Sequence, residues 1–306
     1  MKFLALIAAL LIEQLRPLRH GNAVYLAFTR CANTLERQFN AGQYRQGVIA
    51  WLLLVAPVVG ATLVVYYALH AMNPLLALLW SIAVLYLTMG FRQFSHYFTE
   101  IMLALRNGDV AAARDYLGRW RGGSAAESGA SDIARVAIEL GLVGSHRHVF
   151  GPVACFVVFG PAGAVLYRMA AVLNEKWGGR RDPALGEFGH FAERFFFCLD
   201  WLPARMTAAS FAIVGNFEDA AYCWRTQAPS WAAPLHGIIL ASGGGALGVR
   251  LGDPLRQPEG VGFRPEMGIG DEADVDYMQS TVGLIWRALV LCMFLVLLVT
   301  IAYSLG

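Results

Sequence analysis

The sequence predicts an all-α integral membrane protein with about four transmembrane helices, a re-entrant or kinked segment, and helices on the cytoplasmic side. Three observations carry this. Composition is the first: 57% of the 306 residues are hydrophobic and 15% charged, with mean hydropathy +0.49, whereas soluble domains carry about a quarter charged residues. The second is the set of apolar runs at residues 47–69, 74–91 and 283–303, each near the length a helix needs to cross the hydrocarbon layer. The third is that basic residues gather in the polar stretches, with seven arginines in residues 92–149, the asymmetry that orients membrane helices. A net charge of +2 is too small for a nucleic-acid partner. The five cysteines, Cys31, Cys155, Cys198, Cys223 and Cys292, are scattered without metal-binding spacing, so they read as apolar thiols and no metal site is expected from them.

Residues 1–15 form an apolar run behind Lys2, followed by Glu13 and Arg16-Pro17-Leu18-Arg19 with no small-residue cleavage site. A retained segment is expected, either crossing with tilt or lying on the surface. Residues 22–45 are mixed and carry Arg30, Arg37 and Arg45, which suits an amphipathic helix along the cytoplasmic face. Residues 47–69, with a kink at Pro57, and 74–91 make a hairpin whose turn, His70-Ala71-Met72-Asn73, bears no formal charge and belongs outside. Asn107-Gly108-Asp109 caps a helix over residues 110–120, and the small-residue stretch 122–131 is a hinge. A helix over 132–142 ends at Gly144. Residues 149–173 are apolar but broken by Gly151-Pro152 and Gly160-Pro161-Ala162-Gly163. Such breaks survive at membrane depth only where protein or water satisfies the backbone. Residues 174–193 read as a polar loop. Pro203, tolerated in a first helical turn, is expected to open a short helix over 204–214, leaving Asp200 at the end of the preceding element and pairing it with Arg205. Asn216 caps a helix to Arg225, residues 259–276 are an acidic, solvated run, and 283–303 is the last span.

Three segments, in order, carry a family resemblance. Leu199-Asp200-Trp201-Leu202-Pro203-Ala204-Arg205-Met206-Thr207-Ala208 resembles the D-x-x-P-A-R-[LM]-T-A segment of the CobD/CbiB family, and equally the L-D-W-x-P-x-R segment of its membrane relative AmpE. Gly160-Pro161-Ala162-Gly163-Ala164-Val165-Leu166-Tyr167-Arg168 is similar to G-x-P-G-x-x-x-Y-R. Gly245-Ala246-Leu247-Gly248-Val249-Arg250-Leu251-Gly252 is similar to G-A-L-G-V-x-L-G-G. The likeness covers residues 134 to 303 and is weaker before them. Glu139 matches the first acid of the family's E-x-x-x-E-N-x-x-D-G, but the following residues, Leu140 to His148, lack its Asn and Asp. The N-terminal G-D-P-x-x-x-x-H-P, the Thr-Leu-Asp run and the S-P-N are also missing.

The resemblance implies one polytopic domain over residues 1–306, with a cytoplasmic helical insertion at 92–148 and a second polar region at 174–282. Residues 149–173 re-enter in a four-span arrangement or cross in a five-span one. The setting is a bacterial-type inner membrane. Two functions are implied. AmpE-like members are non-catalytic modulators of β-lactamase induction tied to the cell wall; CobD/CbiB members are amide ligases of cobalamin synthesis using ATP and Mg2+. The lost polar positions tilt the reading to a divergent AmpE-like signalling protein, with the ligase as alternative. In an enzyme, Glu139 and Asp200 are the catalytic candidates. Tyr167, Arg168, Arg205, Gly245, Gly248 and Arg250 are the ligand-binding candidates. Two helix starts, after Pro161 and after Pro203, each offer free N–H groups to an anion, whether corrinoid, phosphate-bearing or a cell-wall metabolite. His146 and His148 alternate and would not share a helix face. ATP and Mg2+ are expected only for a synthase. The partners are the lipid bilayer, that anion and, as an allowed assembly, a second copy of the chain.

Overall fold

The computed structural model describes residues 2–16, 23–122, 128–180, 183–252 and 264–305, and over these the protein is built of helices with two isolated β-bridges. The expectations at Pro17 to Arg19, at 123–127 within the 122–131 hinge, at Arg181 and over 253–263 fall outside them. Helix α1 (Lys2–Leu15) and the amphipathic α2 (Ala23–Phe39) precede α3 (Tyr44–Met72), the first long apolar helix, which carries Pro57 in its interior. Asn73 ends α3 and starts α4 (Pro74–Thr88): its side chain accepts the Leu75 N–H at 2.8 Å, and Pro74 fills the first turn, where a missing N–H costs nothing. Helices α5 (Phe91–Arg106) and α6 (Val110–Arg121) follow, the latter capped by Asp109 accepting the Ala112 N–H at 2.9 Å.

The expected stop at Gly144 is not there. Helix α7 (Ala130–Ser145) passes through a π turn, His146–Phe150, into α8 (Gly151–Phe159). A π turn adds a residue per turn without releasing the backbone, so Gly144 and Pro152 are absorbed. The break comes at Gly160, after which Pro161 opens α9 (Pro161–Leu173). The segment expected to be a polar loop from 174 begins as a second π turn, Asn174–Gly178, extending α9. A second correction concerns Pro203. It opens no helix but lies inside α10 (His190–Val214); its missing N–H removes the donor for the Leu199 carbonyl, a cost that the apolar residues on both sides of it outweigh. Helices α11 (Phe217–Thr226) and α12 (Pro234–Leu247) precede the non-helical described residues 248–252 and 264–274, and α13 (Val275–Leu305) follows.

Three helices are long and apolar enough to cross a membrane, over Tyr44–Met72, Ala130–Phe159 and Val275–Ala302; α4 and α12 are apolar but shorter. Large apolar side chains such as Leu52, Val64, Leu79, Val290 and Val299 stand exposed, which suits lipid and not water. This is an all-α membrane protein.

The chain divides into two compact units. The described residues of 1–90, 151–203 and 300–306 form the first. In it α1 packs on α4, and α3 on α4 and α9, around a core that includes Trp51, Tyr167, Trp177, Phe188 and Phe196. Its α2 is tied down by Glu36, which accepts from Trp177 Nε1 at 3.1 Å and Arg180 at 2.9 Å, and by Asn33, which accepts from Lys176 at 2.9 Å. The second unit comprises the described residues of 91–150 and 204–299. There α5 packs on α6 and α7, and α12 on α7 and α11.

Candidate functional site

In the second unit α7 places Glu139 in the interior, 4% exposed. A carboxylate there is tolerated only when its lone pairs are used. Glu139 Oε1 accepts the Gly252 N–H at 2.8 Å, and Oε2 is paired with the Arg264 guanidinium. Both partners come from the irregular stretch after α12. Gly252 has φ +91°, and a Cβ there would lie 2.0 Å from the Pro265 carbonyl oxygen, so only glycine presents this N–H. The stretch is held by short backbone pairs between Leu251 and Met267 (2.6 and 2.7 Å) and by Arg250 N–H to Asp271 at 2.9 Å. Gln227 clasps it from the side, accepting the Gly268 N–H at 2.7 Å and donating to the Gly268 carbonyl at 3.0 Å.

The surroundings are rich in guanidinium. Arg264 lies over the Trp231 ring, 5.1 Å from its centroid. Arg135 is one turn before Glu139 and pairs with Asp132. At the end of α6, lost hydration and then the Arg264 charge lower the Arg121 pKa, while Glu139 opposes them. A polar cavity of about 150 Å³ opens beside this cluster, lined by Arg135, Arg250, Leu251, Glu266, Glu272 and Ala273. Arg250 is 3.8 Å from both Glu266 and Glu272, beyond hydrogen-bonding distance. The cavity has room for one carboxylate or phosphate group.

The first unit holds Tyr167, Arg168 and Asp200, and the second Arg205, Gly245 and Gly248. Tyr167 is fully buried and donates to Asp200 Oδ1 at 2.9 Å. Gly151 makes room for it, since a Cβ there would lie 2.1 Å from Tyr167 Cζ. Arg168, about 100° further round α9, faces elsewhere: the Tyr25 phenol, raised first by burial and then by Glu175, feels Arg168 as the opposing charge. The expected Asp200–Arg205 pair required a break at Pro203. On the uninterrupted α10, residues five apart point about 140° from each other, and Asp200 Oδ1 accepts the Tyr167 hydroxyl. The same continuity removes the second helix start from the anion pocket expected between residues 160–163 and Pro203; Arg168 and Arg205 belong to different units. Gly245 faces α11, where a Cβ would meet the Asp219 carbonyl oxygen at 2.6 Å, and Gly248, at φ +69°, ends α12. Their visible roles are helix packing and capping.

Gly252 and Arg264 are absent from the residues singled out by sequence. Gly252 had a signal, the last glycine of the glycine-rich motif. Arg264 had none, as a lone arginine in a run read as solvated. His146 and His148 find separate partners: His146 Nδ1 lies 2.9 Å from Thr207 Oγ1, and His148 stacks on Phe94. No group of three or more His, Cys, Asp or Glu side chains suited to a metal occurs among the described residues, and Glu139 is already committed to Arg264. A protein-built Mg2+ cage does not fit here. A phosphate or carboxylate group does.

The helices define an all-α membrane protein, and the buried carboxylate paired with Arg264 is its candidate site. The CobD/Cbib protein family matches residues 3–301, and the chain belongs to the CobD/CbiB family. It is 33% identical over 288 residues to the cobalamin biosynthesis protein CobD of Stutzerimonas stutzeri, covering 93% of each chain. It is 36% identical over 244 residues to the protein of that name from Chromobacterium violaceum, covering 80% of this chain and 76% of the relative. Identity is 28% over 275 residues to the one from Mycobacterium tuberculosis, with 87% and 85% covered. No solved structure matches. These names lend nothing to the signalling reading and agree with the ligase alternative.

Proposed function

We propose that this chain is a membrane-bound synthase of cobalamin biosynthesis that joins an amine to a carboxylate of a corrinoid as an amide. The observation that carries the assignment is Glu139, buried and fixed by the Gly252 N–H and Arg264 beside a cavity lined by Arg135 and Arg250. The relatives' names supply the pathway. Amide formation from a carboxylate releases water and runs uphill, so the acid must be activated, and a nucleoside triphosphate supplies that activation in the reaction class. This chain's own residues bind and orient. Arg135 and Arg250 receive an anionic group, since a guanidinium meets carboxylate or phosphate through two parallel N–H bonds. Glu139 is assigned as acceptor of the proton lost by the attacking amine, released to that task when Arg264 turns to the incoming anion. The same reading sets the protein in a bacterial inner membrane as a multi-pass chain, with the arginine-rich stretches on the cytoplasmic side.

The test is complementation of a mutant unable to ligate the corrinoid side chain, fed cobyric acid. The chain is expected to restore growth, and Glu139→Gln, at equal membrane abundance, is expected not to. Absence of growth with the unaltered chain present in the membrane rejects the synthase assignment.

A further inference from the structure

Two groups fix Glu139, the Gly252 N–H and the Arg264 guanidinium, and both trace back to the turn that ends α11. Gln227, the residue after that helix, reads the backbone of Gly268 in both directions. Its Oε1 accepts the Gly268 N–H at 2.7 Å, and its Nε2 donates to the Gly268 carbonyl at 3.0 Å. A side-chain amide used in this way stands in for a neighbouring strand, satisfying donor and acceptor of one residue together. Gly268 has φ +83°, and a Cβ there would lie 2.1 Å from the Val249 carbonyl oxygen, so glycine is required at this approach. Met267, beside it, exchanges two backbone hydrogen bonds with Leu251, at 2.6 and 2.7 Å. Leu251 precedes Gly252. The path from Gln227 to the carboxylate therefore runs through Gly268, Met267, Leu251 and Gly252.

The Arg264 arm starts from the same turn. The Ser230 N–H and hydroxyl both donate to the Gln227 carbonyl, at 3.0 and 2.6 Å, closing a 3-10 turn over Ala228–Ser230. That turn delivers Trp231 to the Arg264 guanidinium, 5.1 Å from its ring centroid. Helix α12 packs hard against it: a Cβ at Gly237 would lie 2.5 Å from the Ala228 carbonyl oxygen and 2.8 Å from Trp231 Cβ. Residues 227 to 231 thus reach both partners of one buried carboxylate. Gln227 carries no charge, so its contribution is geometric.

We propose that Gln227 is a positioning residue of the Glu139 site. Its two-way grip on Gly268 keeps the Gly252 N–H on Glu139 Oε1, and so keeps the carboxylate aimed to take the proton of the attacking amine. The grip stands on the geometry alone; the catalytic half rests on the synthase reading. A misplacement of about 1 Å at a reacting group can cost on the order of a hundredfold in rate.

The experiment compares the full chain with Gln227→Leu, which has neither bond, and Gln227→Glu, whose carboxylate keeps the acceptor but meets the Gly268 carbonyl without a donor. Protonation gives that carboxyl its donor back, so its grip returns as pH falls. The first measurement is hydrogen exchange by mass spectrometry, in detergent, over peptides covering 248–252 and 264–274. It is expressed as the ratio of variant to unaltered rate at each pH from about 8 down to about 4.5, where an ordinary glutamate begins to protonate. The second uses membranes of the complemented strain, supplied with cobyric acid and cytosol of the mutant, and gives kcat per chain and KM for cobyric acid. Gln227→Leu is expected to exchange at least about tenfold faster at every pH, the loss of one or two hydrogen bonds, and to lose at least about tenfold in kcat with KM within about twofold. Gln227→Glu is expected to match it at high pH and to return towards the unaltered rate of exchange at low pH, which a general loosening of the fold would not do. If Gln227→Leu does not fold, Gln227→Glu compared with itself across pH carries the test. Unchanged exchange in the folded variants overturns the grip. Faster exchange with unchanged kcat overturns the positioning role. An inactive unaltered chain sinks the synthase reading and the catalytic half with it, while the exchange ratio still decides the grip.

Discussion

Replacing Arg264 with Ala strands the Glu139 carboxylate in the interior of the second unit with one hydrogen bond, from Gly252, in place of two interactions. Removing one partner of a fully buried ion pair costs about 3–5 kcal/mol. Here the two ends are unequally covered: the Glu139 side chain is 5% exposed and that of Arg264 23%. Water reaches the arginine end and softens the loss, so about 2–3 kcal/mol is expected, of which the lost ring contact with Trp231 is a smaller part, about 0.5–1 kcal/mol. Glu139→Gln should cost less, because the amide oxygen still accepts the Gly252 N–H and Arg264 keeps its place over Trp231. The double variant should then be little worse than Arg264→Ala alone, giving a coupling of about 2 kcal/mol. The assay is reversible unfolding of the purified protein in mixed micelles, read by tryptophan fluorescence. Additive losses with coupling below about 0.5 kcal/mol, the usual scatter for independent sites, refute the pairing and the cavity architecture built on it.

Two further outcomes are expected. Tyr167→Phe removes the Tyr167 hydrogen bond to Asp200 Oδ1 and should cost about 1.5–3 kcal/mol, the range for a hydrogen bond to a charged group; an unchanged unfolding midpoint would show that this bond adds nothing to stability. A single cysteine at Gly179, in a background cleared of native cysteines, should resist a membrane-impermeant thiol reagent in intact cells and react after lysis, and labelling in intact cells would place that turn outside and support the five-span arrangement.

The parts of the fold set by short-range chemistry were legible. The apolar run at 47–69 lies inside α3, the cap at Asp109 starts α6, and Asn216 starts α11, because run length and side-chain oxygens act within a few residues. Pro203 misled for the same reason: the local rule says break, and what decides the matter is burial on both sides of it. The site was half legible. Glu139 and Arg250 were reached through the family resemblance, Glu139 as the first acid of its motif and Arg250 within the glycine-rich run. Its completion by Gly252 and Arg264 joins residues 113 and 125 positions apart, and no periodicity or capping pattern reports contacts at that range.

That separation also bears on biosynthesis. A ribosome adding about 5–20 residues per second delivers Arg264 roughly 6–25 s after Glu139. For that interval α7, with a helix long and apolar enough to enter the bilayer, carries a carboxylate whose eventual counter-charge does not yet exist. The nascent helix must keep Glu139 at the aqueous margin or hold it protonated until the chain beyond α12 emerges. Chains arrested before residue 264 are therefore natural clients for membrane quality-control proteases, and the last third of the protein serves as the release step for the helix made before it.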